Sequence, residues 1–576
     1  MKGRLLPEVL SERAAAEPAR RAYVFLTEDG AEKDSLTYGQ LHARALTVAG
    51  VLRSRCRPGE RALLVFPPGL DFLAAYFGCL YAGVVAVPVN PPRRGRVRDA
   101  TFGIVRDCEP VAVLTTAAMA AGLRPVLDGP LWWLCVDDLP GAGPPLEPWP
   151  CTAGSPAFLQ YTSGSTSAPK GVQVSHGNLA ANQEMIRLAF GHDRHSTVVG
   201  WAPLFHDQGL IGNVLQPLYV GATSILMSPM AFIRRPLLWL STISRYRAHT
   251  SGGPNFAFEA CVEHAARANS AGELDLSSWA VAFNGAEPIR PDTLRRFAET
   301  FAPFGFSSSA WYPCYGLAEA TLIVTGSRPG RGARTLDVNT EALGHQRYAP
   351  GGRRLAGSGF AVPGEQVRIV DPDTRVPCGD GHVGEIWVHG PNVAKGYWRR
   401  PEATAATFHA ECAGEPGRTY LRTGDLGMIV DGELYVVGRR KDLVIIRGRN
   451  YYPQDIELTA ESAHPSLRPG GCAAFSVPRD GEERLVVVQE IRREYRRNAD
   501  PAEVAAAVRA AVAREHDVSL AELVLTLPGR LRKTSSGKIM RADARERFLA
   551  SGFEAWTPDM ERTERNEHAD TGQSGL

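Results

Sequence analysis

Between Tyr161 and Gly171 the chain reads Y-T-S-G-S-T-S-A-P-K-G, a run of hydroxyls, exposed amides and one cation. Thr162, Ser163, Ser165 and Thr166 can donate to phosphate oxygens, Gly164 lets the backbone come close, and Lys170 adds a point charge. These residue types suit a polyphosphate. A Ser/Thr-rich surface linker has the same composition, but A-F-L-Q-Y before the run reads as a strand and V-Q-V-S-H-G-N-L after it leads towards a helix. The loop is therefore expected between rigid elements. It is not a Walker A loop: G-x-x-x-x-G-K-[ST] is unmatched, and the pair Gly537 and Lys538 is followed by Ile539. His206 and Asp207 are neighbours, and on an extended segment neighbours point to opposite faces, so a His–Asp dyad is not expected.

The elements that must hold such a loop alternate. R-A-L-L-V-F from Arg61 and G-V-V-A-V-P-V from Gly83 read as buried strands, with an amphipathic stretch over Leu36 to Arg53 between turns. This is α/β patterning. G-E-I-W-V-H from Gly384 and G-E-L-Y-V-V-G from Gly432 mark a more β-rich region. After Gly438 a polar stretch, R-R-K-D-L-V-I-I-R-G-R-N, leads into a smaller unit. There strands are expected over Cys472 to Val477 and Arg484 to Gln489, and a helix over Pro501 to His516. The polar end, residues 551–576, is expected to fray. The uncharged run from Phe72 to Val89 is punctuated by Gly78, Gly83 and Pro88, and reads as a buried helix, a turn and a buried strand rather than a membrane span.

With 576 residues the chain is long enough for two to four structural units, and 64 basic against 62 acidic side chains leave a formal charge of +2. That balance gives no support to nucleic-acid binding. The ten cysteines are dispersed, the nearest pair being Cys135 and Cys151, so neither a metal knuckle nor a disulfide framework is written here. Reduced thiols and an N-terminus without a continuous apolar signal segment lead us to expect a cytoplasmic protein.

The loop resembles the phosphate motif of the adenylate-forming superfamily, which includes acyl-CoA synthetases, peptide-synthetase adenylation domains, luciferases and fatty acyl-AMP ligases. Further matches follow in the family's order: G-W-A-P-L-F-H-D at Gly200, G-G-P-N-F-A-F at Gly252, F-N-G-A-E-P at Phe283, Y-G-L-A-E-A at Tyr315, Y-L-R-T-G-D-L-G at Tyr420, G-R-R-K-D at Gly438 and T-S-S-G-K-I-M-R at Thr534. The resemblance implies an α/β fold in which a large, multi-subdomain N-terminal domain with a β-rich subdomain (residues 1–438) joins a small mobile α+β domain (443–550) through a hinge (439–442).

By the same resemblance, Tyr315 and Gly316 would meet adenine, with Asn284, Gly285 and Ala286 on its other side. Asp425 and Arg439 would reach the ribose, and Glu319 with Thr166 would hold Mg²⁺ on ATP. Lys538 would be the adenylation lysine, His206 would border the carboxylate pocket, Gly253, Pro254, Phe256 and Phe258 would line an acyl tunnel, and Lys441 and Asp442 would form the hinge. Within the superfamily, I-R-G-R-N-Y-Y-P-Q-D-I-E at Ile446 and the extra residues between Thr325 and Leu355 resemble fatty acyl-AMP ligases. This implies transfer of a fatty acyl group to the phosphopantetheine of an acyl carrier protein; Arg492, Arg493, Arg496 and Arg497 could meet such a carrier, but a solvated charge run is the favoured reading of them. An acyl-CoA ligase is the alternative within the fold, and a non-catalytic nucleotide- or acyl-binding scaffold the alternative outside it.

Overall fold

A computed structural model of the chain describes residues 4–91, 99–127, 129–141, 146–162, 169–267, 274–479, 482–534 and 538–557. Among them, a six-stranded sheet carries the strand β1 (Pro156–Thr162) beside the parallel strand Val85–Pro88, with β2 (Lys170–Ser175) antiparallel at its edge. Thr162 pairs with Lys170 and Tyr161 with Gly171. The phosphate-loop segment thus joins two antiparallel strands, and the segment after it leads towards a helix as expected. The helix comes one strand later, as α1 (His176–Phe190), started by a Ser175–Asn178 capping box and ended by Gly191 in the left-handed region.

A nine-stranded sheet forms the second layer, and its centre supplies four parallel strands: β3 (Thr197–Gly200), β4 (Thr250–Gly253), β5 (Val281–Asn284) and β6 (Trp311–Gly316). Their carboxyl ends open together into one cleft, as is usual for open α/β sheets. Phe190 of α1 packs on Phe283 and Tyr312 across one face of this sheet. The opposite face is covered by an aromatic core around Trp239, Trp279, Phe297 and Trp311, reached by the helix α2 (Asn255–Arg267). The β-rich region forms a five-stranded sheet that includes β7 (Thr419–Val430) and β8 (Glu433–Arg439).

At Arg440–Asp442 the chain makes one 3-10 turn, then enters a smaller unit in which α3 (Pro453–Ser462) and the helix Pro501–His516 pack on a three-stranded sheet. Trp556 belongs to that core: it is 3% exposed, and its indole N–H donates to the Arg496 carbonyl. Its backbone N–H is tied to Leu525. The expected fraying therefore does not begin at 551, because a buried tryptophan anchors the segment; residues 558–576 lie outside the described residues. The run from Phe72 to Val89 is a buried helix, Asp71–Ala82, followed by the Gly83 cap and the strand Val85–Pro88. Among the described residues no helix is long and apolar enough to cross a membrane. All ten cysteines are free thiols.

Candidate active site

Pairing of β7 with β8 sets Asp425 opposite Arg439, whose Nε donates to Oδ1 at 2.9 Å. The hydroxyl of Tyr315, at the end of β6, donates to the other oxygen at 2.8 Å. A carboxylate has about four acceptor sites, so lone pairs remain for further donors such as ribose hydroxyls. The backbone of Gly316 passes so close to Leu322 that a Cβ would stand 1.8 Å from its carbonyl oxygen, which leaves glycine alone at this position. Gly285 and Ala286 line the cleft, Ala286 with φ at +67°, a strained value for a residue with a Cβ. Asn284 is fully buried, and neither its amide nitrogen nor its amide oxygen has a partner.

At the phosphate end, Lys170 sits with Nζ 5.0 Å from the centre of the Tyr397 ring, and the Tyr397 hydroxyl donates to Glu319 at 2.9 Å. Tyr397 is thus a relay between the expected cation and the expected metal carboxylate, and sequence reasoning missed it. The only signal was the Tyr–Trp pair in the otherwise polar K-G-Y-W-R-R. Burial pushes the Glu319 carboxyl above its ordinary range. Ser163, Gly164, Ser165 and Thr166 lie outside the described residues, as does the side chain of Thr162.

His206 and Asp207 do pair, Nδ1 to Oδ1 at 2.5 Å. The expectation of opposite faces fails because the segment is not extended: Asp207 has helical φ and ψ and caps the π-helical turn Gln208–Leu215. Burial works against charge on His206, yet Asp207 outweighs it and holds the imidazole above its ordinary range. Lys538 reaches the same cleft from the smaller unit, where its surroundings and the Arg439 guanidinium pull its ammonium down. Asp425, Asp207 and Glu287 pull the other way. Glu287, which the sequence reading left unassigned, accepts the Phe256 amide at 2.6 Å, and burial raises its carboxyl.

Gly253, Pro254 and Phe256 line the cleft. Phe258 does not: it is fully buried, edge-on to Trp239 and Trp311 and stacked on Trp279. Positions two apart on α2 face nearly opposite sides, so a shared tunnel wall was the wrong inference from their spacing. At the turn after β8, Asp442 accepts from Arg541 at 3.0 Å, and the same guanidinium grips Glu457 of α3 at 2.6 and 2.7 Å. Burial and Arg439 lower the Lys441 ammonium. Of the arginines considered for a carrier, Arg492 donates to the Leu467 carbonyl.

A large cleft lined by an aromatic–carboxylate–guanidinium triad and two lysines, Lys170 and Lys538, agrees with the comparisons. Residues 10–398 match the description of AMP-binding enzymes. The chain belongs to the AMP-binding enzyme family. Residues 441–557 match the AMP domain of Disco-interacting protein 2-like proteins. The medium-chain-fatty-acid–[acyl-carrier-protein] ligase JamA of Moorena producens is 44% identical, over 97% of this chain and 98% of its own length. The long-chain-fatty-acid–AMP ligase FadD26 of Mycobacterium marinum is 40% identical over 96% and 98%. The crystal structure of a fatty acid AMP ligase from Legionella pneumophila shares 38% identity and a TM-score of 0.74, over 96% of this chain and 97% of that one. This family membership makes the chain an ATP-using enzyme of adenylate chemistry rather than a binding scaffold.

Proposed function

We propose that the enzyme joins a fatty acid to ATP as an acyl adenylate and then passes the acyl group to the phosphopantetheine thiol of an acyl carrier protein. The observation that carries this reading is the placement of Lys538, which lines the cleft from the smaller unit within electrostatic reach of Asp425 and Arg439 of the Tyr315–Asp425–Arg439 triad. A carboxylate and a triphosphate repel each other, and a cation between them offsets that repulsion as the new bond forms. In the first step a carboxylate oxygen attacks the α-phosphorus, and the bond to the β-phosphate oxygen breaks to release pyrophosphate. Tyr315, Asp425 and Arg439 orient the nucleoside, Lys170 meets the outgoing phosphates, and Lys538 stabilises the charge shared by carboxylate and α-phosphate. In the second step the carrier thiolate attacks the acyl carbon, AMP departs on its phosphate oxygen, and the thiol proton goes to solvent.

Mg²⁺ fits the site. Among the described residues no group of three acidic, histidine or cysteine side chains forms a ready-made metal centre, which suits an ion that arrives with the triphosphate and takes a single carboxylate. Glu319 is that carboxylate: it is half-buried, held above its ordinary range and touched by the Tyr397 hydroxyl, and a divalent charge would relieve it. When bound, the ion would screen the triphosphate and stabilise departing pyrophosphate.

The test is incubation with ATP, Mg²⁺ and a series of fatty acids, with hydroxylamine to trap the adenylate. No hydroxamate from any acid would defeat the adenylation step. Adding CoA or a phosphopantetheinylated carrier separately then decides the acceptor; thioester on the carrier and not on CoA is the expected result, and the reverse makes the enzyme an acyl-CoA ligase.

A further inference from the structure

The cleft does not stop at the strand ends. On the face of the nine-stranded sheet that meets α1 its lining takes in Cys314, Phe283, Phe190 and Ile186 and, at the amino end of β4, Thr250 with His192 and Val198. The walls of this chamber are apolar, and its floor is polar and tied together. His192 Nε2 lies 2.7 Å from Thr250 Oγ1, His249 Nδ1 lies 2.8 Å from the same oxygen, and Gln216 Nε2 lies 3.3 Å from His192 Nδ1.

Donor and acceptor roles follow in order. An amide nitrogen only donates, so His192 Nδ1 accepts from Gln216 and its Nε2–H donates to Thr250. The threonine hydrogen is then left for His249 Nδ1. His192, Thr250 and Gln216 are all buried, and burial, helped by His249, pulls His192 down to about 3, so the floor stays neutral and unchanged at physiological pH. Moving any one of these groups aside would strand a buried donor or acceptor. A floor of this kind does not yield to a longer ligand as a flexible methionine would.

Its depth can be read from the strand. Thr250 opens β4 and Gly253 closes it at the cleft, three residues further on. Three steps of a parallel strand rise about 10 Å, the length of an extended acyl chain of about eight carbons. We infer that His192 and Thr250 form the floor of the acyl chamber and restrict the enzyme to medium-chain acids of about eight carbons. This rests on the adenylation reading of the cleft and adds the substrate class. The relatives' names do not decide it, since one is described as acting on medium and the other on long chains.

The experiment is kcat/KM for hydroxamate formation by the full chain across saturated acids from butanoate to hexadecanoate. Each methylene that enters the chamber contributes about fourfold in binding, so kcat/KM is expected to climb at that rate to about octanoate. It should then fall at least about tenfold by tetradecanoate, whose excess methylenes stay in the polar cleft. His192→Ala removes the floor and should move the optimum longer by two carbons or more. Should that variant fail to fold, Val198→Ala deepens the same floor without touching the hydrogen bonds and should also lengthen the optimum. A wild-type profile that keeps rising to hexadecanoate, or a folded floor variant with an unmoved optimum, overturns the inference while leaving adenylation intact. No hydroxamate from any acid instead overturns the adenylation reading, and the inference with it.

Discussion

At His206, Asp207 outweighs both burial and Lys538. Burial disfavours the imidazolium and Asp207 more than restores it, so the folded pKa lies above the ordinary value. A raised histidine pKa means that the charged form persists to higher pH and is lost as pH climbs through that value. If the imidazolium helps to hold the substrate carboxylate, adenylate formation falls on the alkaline side of this pKa. Asp207→Asn should shift that fall to lower pH, below about 6.5 where burial and Lys538 govern, and reduce kcat/KM at pH 7.5 about tenfold. A pH profile of hydroxamate formation checks it, and an unshifted profile defeats the assignment. Tyr397→Phe is the companion case: it removes the hydroxyl that donates to Glu319, so KM for ATP should rise threefold to tenfold, as loss of about 1 kcal/mol implies, with Tm nearly unchanged. The residue types at Lys538, Asp425, Glu319 and Lys170 were legible because each stands in a motif with its own chemistry. Their pairings were not: Asp207 needed the helical turn, and Tyr397 lies far in sequence from both of its contacts.

At the scale of elements, period and punctuation were enough for most of the fold. Gly83 ends one buried helix, and the helix at Pro501 begins at a proline after an aspartate cap and runs to His516. What period could not show was partnership, as when the phosphate-loop segment proved to join two antiparallel strands. The residues between Thr325 and Leu355 are a second example. They fold as the hairpin Thr335–Val338 with Arg353–Ala356 around the short helix Thr340–Gly344, and they dock on the smaller unit. Arg353 pairs there with Asp455 of α3, and the Tyr452 hydroxyl donates to the Leu343 carbonyl. Burial pushes the Asp455 carboxyl up to about 6 even with Arg353 beside it. Below that value the carboxyl is neutral in the fold, so the ion pair contributes only as pH rises through it. Arg353→Ala should therefore cost little at pH 5 and about 2 kcal/mol at pH 8, where an unpaired buried charge remains. Thermal unfolding of both proteins at the two pH values measures the difference, and a pH-independent loss would show that packing alone matters.

If Lys538 is the adenylation lysine, adenylation requires the smaller unit closed on the larger one, because Lys538 belongs to the former while Tyr315, Asp425 and Asp207 belong to the latter. Closure is held in part by charge: Arg290, on the loop that leads from the Glu287 turn, lies 2.6 Å from Glu461 of α3. Glu461 is almost fully buried and its carboxyl is raised by burial, so removing Arg290 leaves an acceptor without its cation at the junction. If, as proposed, adenylation uses Lys538 in the cleft and thiol transfer follows a movement of the smaller unit, the first should lose rate and the second should not. Arg290→Ala is expected to lower kcat/KM for hydroxamate formation about fivefold, the effect of roughly 1 kcal/mol on a two-state closure. Transfer from supplied acyl adenylate to the carrier should proceed at the wild-type rate or faster. Equal slowing of both half-reactions would mean that Arg290 shapes the site itself rather than the balance between arrangements, and a Glu461→Gln variant, which removes the charge but keeps the packing, would then leave both half-reactions at wild-type rates.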